Sequence, residues 1–249
     1  MSLSGDLERA LTAVAATPHL LVTSDFDGTL APIVNNPTDA RPLADAAEAL
    51  AALAELPQTA SALISGRALE VLRALSGMPD TVHLVGSHGA EFTSGFGHDI
   101  DTALLQRITD RLHTIASGRP GVTVETKPAS VALHVRNASP EDAAAALDEA
   151  RAAAAAWDAQ LTEGKAVLEF AVVQTDKGEA VDILREQENA TAVVFFGDDV
   201  TDEKAFRRLR GDDVGVKVGP GESLAKYRVD SPEDVAAALA HLLAARRGA

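Results

Sequence analysis

Two carboxylates separated by one residue, Asp25 and Asp27, directly follow a short apolar run: the chain reads LLV at 20–22 and DFDGTL at 25–30. Such a run is typical of a buried strand, and side chains at positions i and i+2 of an extended chain point the same way. We therefore expect both carboxylates to face one pocket at the end of this strand. Because like charges this close repel each other, the pair needs a cation or a shared proton, and Mg²⁺ is the usual cation beside phosphate. An exposed, Asp-rich turn is the alternative interpretation.

Short apolar runs alternate with helical patterns in the first and last parts of the chain. The predicted strands are Leu20–Ser24, Ala60–Ile64, Val82–Val85, Ala192–Phe196 and Val214–Val218. The predicted helices are 6–17, 41–55, 69–75, 176–184, 201–209 and 231–245. This alternation predicts an α/β fold: a three-layer, Rossmann-like core whose parallel sheet has helices on both faces.

The pattern changes between residues 100 and 173, where a helix followed by two strands occurs twice. The predicted elements are helices at 102–116 and 143–157, and strands at 121–126, 130–136, 160–162 and 167–173. We predict a core domain from residues 1–99 and 174–249, with a smaller α+β domain of order αββαββ inserted at 100–173. The Ala-rich segment at 143–157 could instead be a low-complexity linker, but its helix-start sequence SPED and its terminal Trp157 argue for a helix.

Composition excludes several classes of function. The chain has 249 residues and a formal charge of −15, which disfavours nucleic acid and anionic membranes as partners. It has no cysteine, so a disulfide, a zinc–thiolate site and a cysteine nucleophile are excluded. No signal peptide and no apolar run of about 18 residues is visible, so we expect a cytoplasmic protein without a membrane partner. We expect a monomer that acts on a small molecule.

The candidate functional residues fall at the carboxyl ends of the predicted strands, where open parallel sheets bind their ligands. They are Asp25, Asp27, Ser65, Ser87, His88, Asp198 and Asp199, and Lys177 opens the helix after the insert. A carboxylate nucleophile, a metal, a hydroxyl and a lysine together support phosphoryl transfer through an aspartyl phosphate. Each motif alone also has a structural interpretation, as a strand-exit turn or a helix cap.

Four ordered motifs resemble those of the haloacid dehalogenase superfamily of phosphatases: DFDGTL at 25–30, SGR at 65–67, KG at 177–178 and GDDVTDE at 197–203. The resemblance implies that Asp25 is the nucleophile and Asp27 the general acid/base, and that Ser65 and Lys177 bind the phosphoryl group. It also implies that Mg²⁺ is the cofactor, with the ligand set Asp25, Asp27, Asp198 and Asp202. The insert resembles the cap domain of that superfamily.

A narrower resemblance covers nearly the whole chain. The segments GSHGAE at 86–91, ETKP at 125–128, HVR at 134–136, GK at 164–165 and GVKVG at 215–219 look like trehalose-6-phosphate phosphatases. The resemblance implies that the sugar is bound by Arg67, His88, Glu91, Lys127, His134, Arg136, Lys165 and Glu169. Val135 departs from the pattern, which has an aromatic residue there.

The sugar-binding candidates also have ordinary structural interpretations. Lys127 and Lys165 lie beside predicted hairpin turns, where solvated lysines are common. His134 and Arg136 are predicted to share one strand face, and Glu169 could pair with Arg136.

The implied function is Mg²⁺-dependent hydrolysis of trehalose 6-phosphate to trehalose and phosphate, a step of trehalose biosynthesis. A phosphatase for another sugar phosphate, of the sucrose or mannosylglycerate type, is the first alternative. A non-catalytic protein that binds a sugar phosphate is the second, although it would usually have lost one of the core motif residues.

Overall fold

The structure is a computed structural model that describes residues 3–96, 100–173 and 175–249. The chain folds into two compact units. One unit comprises Met1–Gly97 and Thr175–Ala249, and the other comprises His98–Gln174. The second unit is therefore inserted, in chain order, between the two segments of the first.

The first unit contains an eight-stranded sheet in the order β12-β11-β10-β1-β2-β3-β4-β5. The strands are β1 (Leu20–Ser24), β2 (Thr59–Ile64), β3 (Val82–Gly86), β4 (Glu91–Phe92), β5 (Gly95–Phe96), β10 (Ala192–Gly197), β11 (Val214–Val218) and β12 (Tyr227–Val229). Strands β12 to β3 run parallel in that order, whereas β4 and β5 add antiparallel pairs at one edge.

Helices cover both faces of this sheet, as the sequence predicts. They are α1 (Gly5–Ala15), α2 (Ala44–Ala54), α3 (Leu69–Ser76), α6 (Lys177–Gln187), α7 (Asp202–Arg208) and α8 (Pro232–Arg247). Side chains of β1 alternate between two apolar cores: Leu20 and Val22 join the core formed with α1, α2 and α8, and Leu21 joins the core formed with α6 and α7. A strand buried on both faces must be apolar throughout, which explains its continuous apolar run.

The second unit has a four-stranded antiparallel sheet in the order β6-β7-β9-β8. Its elements are α4 (Thr102–Ala116), β6 (Thr123–Thr126), β7 (Ser130–His134), α5 (Pro140–Ala154), β8 (Gln160–Gly164) and β9 (Val167–Ala171). Alternation along β9 buries Leu168 and Phe170 in a core with the helices and leaves Glu169 on the other face. Val135 also packs in this core.

Several predicted boundaries are wrong. The strand predicted at 130–136 ends at His134. Arg136 therefore lies in the following turn and does not share a strand face with His134. Helix α5 ends at Ala154, and Trp157 lies beyond it, with its ring edge-on to Phe170 at 5.1 Å between centroids. Strands β4, β5 and β12 were not predicted, because two or three residues are too few for a periodic pattern.

None of the helices within the described ranges is both long enough and apolar enough to cross a membrane.

A buried ion pair connects helix α6 with the neighbouring strands β10 and β11. Arg185 on α6 forms a bidentate ion pair with Asp213, which precedes β11, and both side chains are buried. The Asp213 carboxylate also accepts hydrogen bonds from the main-chain N–H groups of Val193, on β10, and Arg210, both at 2.8 Å. A buried carboxylate with four donors is well compensated, so the pair ties α6 to the β10 and β11 region.

We expect Asp213→Ala to lower the free energy of unfolding by about 3–5 kcal/mol, because it leaves a buried guanidinium without its partner. Urea unfolding followed by circular dichroism measures this change. The matched control is Asp80→Ala, which removes an exposed ion pair of the same unit, with Arg73, and is expected to stay close to wild type. Equal, small losses in both variants would contradict the prediction.

Candidate active site

The Asp25–Asp27 pair directly follows β1, whose predicted end at Ser24 is confirmed. Strand β1 ends at Ser24; the Asp25 N–H still continues the ladder by donating to the Phe196 carbonyl at 2.9 Å, but the chain turns at the next residue. The Phe26 carbonyl accepts from the N–H groups of Leu30 and Ala31, which closes this turn. Because the backbone turns, alternation no longer applies, and the two carboxylates have different partners.

Lys177 is the central cation of the site. It is the first residue of α6, and the side chain of Asp176 caps this helix by accepting from two main-chain N–H groups. The Lys177 Nζ lies 2.7 Å from a carboxylate oxygen of Asp25 and 2.7 Å from one of Asp202. All three side chains are almost completely buried, so Lys177 joins the end of β1 to the start of α7.

Asp25, Asp198 and Asp202 form one carboxylate cluster, with an oxygen of each within 4.8 Å of the others. Within it, Asp202 is the most constrained: one oxygen accepts from Lys177, and the other accepts from the main-chain N–H groups of Asp198 and Asp199 at 2.9 Å each. Asp202 therefore shapes the loop after β10, whereas Asp25 and Asp198 retain more free acceptor capacity.

The electrostatics of this cluster favour an additional cation. Burial raises the pKa of Asp25 to about 8, an effect that Lys177 opposes and the charge of Asp202 reinforces. Burial likewise raises the pKa of Asp198, with Asp202 adding to the effect. For Lys177, burial acts to lower the pKa, but the charges of Asp25 and Asp202 outweigh it and the pKa is raised. Lys177 thus stays protonated, and one ammonium group leaves the three carboxylates undercompensated.

Gly28 provides space for the Asp198 carboxylate. Its φ is +83°, and a Cβ atom at this position would lie 2.2 Å from an Asp198 carboxylate oxygen. The Thr29 hydroxyl lies 3.4 Å from the other oxygen of the same group. The three carboxylates of the cluster are buried or half-buried, and Gly28 places no side-chain atom against Asp198. Such carboxylates are hard oxygen donors that fit a divalent cation such as Mg²⁺.

The Asp27 carboxylate is not part of this side-chain cluster, and the expectation that Asp27 joins the metal ligands stays a prediction. Its carboxylate forms a bidentate ion pair with Arg67, with both N···O distances 2.6 Å. The Arg67 guanidinium also lies over the Phe26 ring, 5.7 Å from its centroid. The opposite charge of Arg67 therefore orients Asp27. The expected role of Arg67 in binding the sugar stays a prediction.

Ser65 and the segment after β3 pack against each other. Ser65 directly follows β2 and is buried, and its hydroxyl accepts from the Arg67 N–H at 3.2 Å. The His88 N–H donates to the Ser65 carbonyl at 2.9 Å, and the His88 ring packs on Gly66, where a Cβ would lie 2.4 Å away. Glu91 is buried and accepts from the Ser87 hydroxyl. The structure thus brings Ser65, at the end of β2, next to His88, which follows β3.

The insert carries its own polar cluster. Lys127 Nζ donates to Glu169 at 2.8 Å, and the Ser130 hydroxyl donates to the same oxygen at 2.7 Å. Lys127 is thus an ion-pair partner of Glu169, for which the sequence suggested Arg136. His134 Nε2 lies 2.8 Å from a carboxylate oxygen of Glu125.

The remaining two predicted sugar ligands, Arg136 and Lys165, are exposed, and Lys165 lies in the turn between β8 and β9.

Two contributors to the site were not singled out from the sequence. Thr29 reaches Asp198, and the Lys217 ammonium group donates to the main-chain carbonyl of Asp198. Lys217 belongs to the GVKVG segment, which signalled only a family pattern. A charged residue within an otherwise apolar strand is the signal that could have identified it, because burying an ammonium group is costly without partners.

The fold is shared with solved haloacid dehalogenase-like hydrolases, a likeness of fold alone. The C-terminal domain of the trehalose-6-phosphate phosphatase of Candida albicans superposes with a TM-score of 0.73 at 23% identity, covering 98% of each chain. The parallel core and the four-stranded insert are therefore a known architecture.

The family model for trehalose-phosphatase matches residues 23–233, and the chain belongs to this family. The trehalose-phosphate phosphatase of Mycobacterium avium is 36% identical over 93% of this chain and 65% of its own length. The trehalose-6-phosphate phosphatase of Escherichia coli is 35% identical over 85% of this chain and 82% of its own length. The chain thus spans slightly less than two thirds of the mycobacterial relative.

The raised pKa of Asp25 has a consequence for stability without metal. Between its ordinary value of 3.8 and about 8, Asp25 holds a proton in the folded protein and loses it on unfolding. The folded state then binds more protons, so stability falls as the pH rises through this window. Lys177 has a raised pKa and is protonated in both states below its ordinary value of 10.5, so it adds no pH dependence there.

We expect Asp25→Asn to flatten this decline and, at pH 8 with EDTA, to melt several degrees above wild type, since it no longer buries a charge. Thermal melts between pH 5 and pH 8 measure the effect. Asp199→Asn is the matched control: it removes an exposed acid beside the cluster and should retain the wild-type slope. An unchanged slope in Asp25→Asn would show that Asp25 does not titrate in this window.

Proposed function

We propose that this chain is a Mg²⁺-dependent phosphatase that hydrolyses trehalose 6-phosphate to trehalose and inorganic phosphate. The observation that carries the proposal is the buried Lys177 between Asp25 and Asp202, at the strand ends of a chain of the trehalose-phosphatase family. The relatives that bear the name trehalose-phosphate phosphatase or trehalose-6-phosphate phosphatase support the substrate.

In the first step, a carboxylate oxygen of Asp25 attacks phosphorus, and the bond between phosphorus and the sugar oxygen breaks. Asp27, carrying the proton that the water of the preceding turnover transferred to it, donates this proton to the leaving sugar oxygen, which releases trehalose and leaves an aspartyl phosphate. Attack requires ionised Asp25, and the ammonium group of Lys177 at 2.7 Å favours that form. Lys177 and the Ser65 hydroxyl are suited to bind phosphoryl oxygens.

In the second step, water attacks the phosphorus of the aspartyl phosphate and transfers a proton to Asp27. The bond between phosphorus and the Asp25 oxygen breaks, which returns the carboxylate and releases phosphate. The bidentate contact with Arg67 orients Asp27 as a carboxylate able to accept this proton.

Asp25 and Asp198 would hold the Mg²⁺ ion. Asp202 would support Asp198, because its carboxylate accepts a hydrogen bond from the main-chain N–H of Asp198. When bound, the ion neutralises the carboxylate cluster and the phosphoryl charge. The resemblance adds Asp27 to this ligand set; Arg67 holds its carboxylate, and its part in binding the ion stays a prediction.

We assign catalysis to residues 1–99 and 174–249 and recognition of the sugar to the insert, residues 100–173. The insert candidates are Lys127, His134, Arg136, Lys165 and Glu169, and the core candidates are Arg67, His88 and Glu91. The Lys127–Glu169 pair supports this assignment, since adjacent donors and acceptors on a sheet suit the hydroxyl groups of a sugar. The monomeric state and the cytoplasmic location stay predictions from the sequence.

The proposal predicts Mg²⁺-dependent release of phosphate from trehalose 6-phosphate, well above that from glucose 6-phosphate and sucrose 6-phosphate. A colorimetric phosphate assay on the full chain, with MgCl₂ or with EDTA, measures it. Asp25→Asn should fold and yet show no turnover, because the nucleophile is lost.

Faster turnover of another ester would keep the phosphatase and overturn the substrate. Absence of turnover with every ester would favour a non-catalytic protein that binds a sugar phosphate. Activity near wild type in Asp25→Asn would overturn the assigned nucleophile.

The insert assignment predicts that Lys127→Met lowers kcat/KM for trehalose 6-phosphate by about tenfold or more, the value of one hydrogen bond to a charged group. Hydrolysis of p-nitrophenyl phosphate, which carries no sugar, should change little. Steady-state kinetics with both substrates give the two values.

Arg151→Met is the matched control. It removes another cation of the insert, one that pairs with the exposed Glu163, and should leave both substrates unaffected. A parallel loss with both substrates in Lys127→Met would indicate a general structural effect and contradict a role in binding the sugar.

A further inference from the structure

Lys217 is a buried lysine that the proposed mechanism does not use. It lies on β11 with only 5% of its surface exposed. Its ammonium group donates to the main-chain carbonyl of Asp198 and, at 2.8 Å, to that of Val218. Among residues 3–96, 100–173 and 175–249 the structure shows no carboxylate in an ion pair with it. Lysine is rarely buried without a charged partner, so its main-chain contacts need an explanation.

The contact is directed at the residue that carries a carboxylate of the cluster. Gly197, the last residue of β10, pairs with Lys217 in the parallel ladder, so Lys217 lies beside the point where the chain leaves β10 toward Asp198. The Asp198 N–H donates to Asp202 at 2.9 Å, and its carbonyl accepts from Lys217. The peptide groups on both sides of the Asp198 side chain are therefore held.

The choice of acceptor matters for the carboxylate. A lysine bonded to the Asp198 carboxylate would occupy oxygen atoms that could bind a cation. Lys217 instead bonds the carbonyl and leaves those oxygens to the Thr29 hydroxyl and to a ligand. Lys177 differs in this respect, since it contacts the carboxylates of Asp25 and Asp202 directly.

We propose that Lys217 is a positioning residue that holds the main chain of Asp198, so that its carboxylate is preorganised to bind Mg²⁺. The inference rests on the proposed metal-dependent function and adds to it a residue that touches neither metal nor substrate. Groups that orient metal ligands through hydrogen bonds typically change metal affinity by about 10- to 100-fold.

The direction of the change in Mg²⁺ affinity distinguishes a loss of positioning from a simple loss of positive charge. Lys217→Met keeps the apolar stem and removes the ammonium group. Removing a positive charge from a chain of formal charge −15 should by itself favour cation binding. Weaker Mg²⁺ binding in this variant would therefore come from lost geometry.

The experiment is isothermal titration calorimetry of MgCl₂ into the full chain without substrate, followed by steady-state kinetics at saturating Mg²⁺. We expect Lys217→Met to raise the Kd for Mg²⁺ by about tenfold or more, with KM for trehalose 6-phosphate unchanged. Lys217→Arg, which keeps N–H donors, should recover part of the affinity. If Lys217→Met does not fold, Lys217→Gln, whose amide donor sits on a side chain one atom shorter, is titrated instead, and a smaller rise of the Kd in the same direction is expected.

Lys226→Met is the matched control. It makes the same change of charge at an exposed lysine that lies 5.6 Å from the Tyr227 ring centroid, and should bind Mg²⁺ as wild type does. Unchanged or tighter binding in Lys217→Met, or an equal loss in Lys226→Met, overturns the positioning role. Absence of Mg²⁺ binding by the wild-type chain overturns the metal-dependent function itself, and with it this inference.

Discussion

The ammonium group of Lys177, buried between the carboxylates of Asp25 and Asp202, is the interaction on which the rest of the site depends. Three segments distant in the sequence meet at this contact: the end of β1, the start of α6 and the start of α7. Burying these charges is costly, and their mutual contacts and the main-chain donors around Asp202 compensate. The parallel sheet makes the contact possible because it brings the carboxyl ends of β1 and β10 side by side.

The same arrangement leaves the cluster with more negative than positive charge. Burial, reinforced by the charge of Asp202, raises the pKa of Asp25, and a divalent cation is the natural complement of the cluster. Repulsion among the three carboxylates opposes folding unless a cation compensates it. Hydrogen bonds to the backbone, from Lys217 to Asp198 and from the loop N–H groups to Asp202, hold the loop after β10 in place despite the repulsion.

The insert combines an apolar core of its own with a polar sheet face. It has its own core, formed by α4, α5 and one face of its sheet, so it can present polar residues on the other face. The ion pair between Lys127 and Glu169 and the contact between His134 and Glu125 lie on such polar positions. Variation of these four residues need not disturb the carboxylate cluster, because none of them belongs to it.

Local patterns in the sequence predicted the order of strands and helices and the parallel core. They also identified Asp25, Lys177 and Asp198 as candidate functional residues. Apolar periodicity and strand-end motifs reflect burial and backbone geometry, which act over a few residues. The short strands β4, β5 and β12 escaped prediction because their pairing is decided by neighbours. The partners of individual side chains were decided only by tertiary structure: Arg67 holds Asp27 across 40 residues, Lys127 pairs with Glu169 across 42, and Lys217 reaches Asp198 across 19. These contacts depend on distances of a few ångströms between remote segments, and no local pattern encodes such distances.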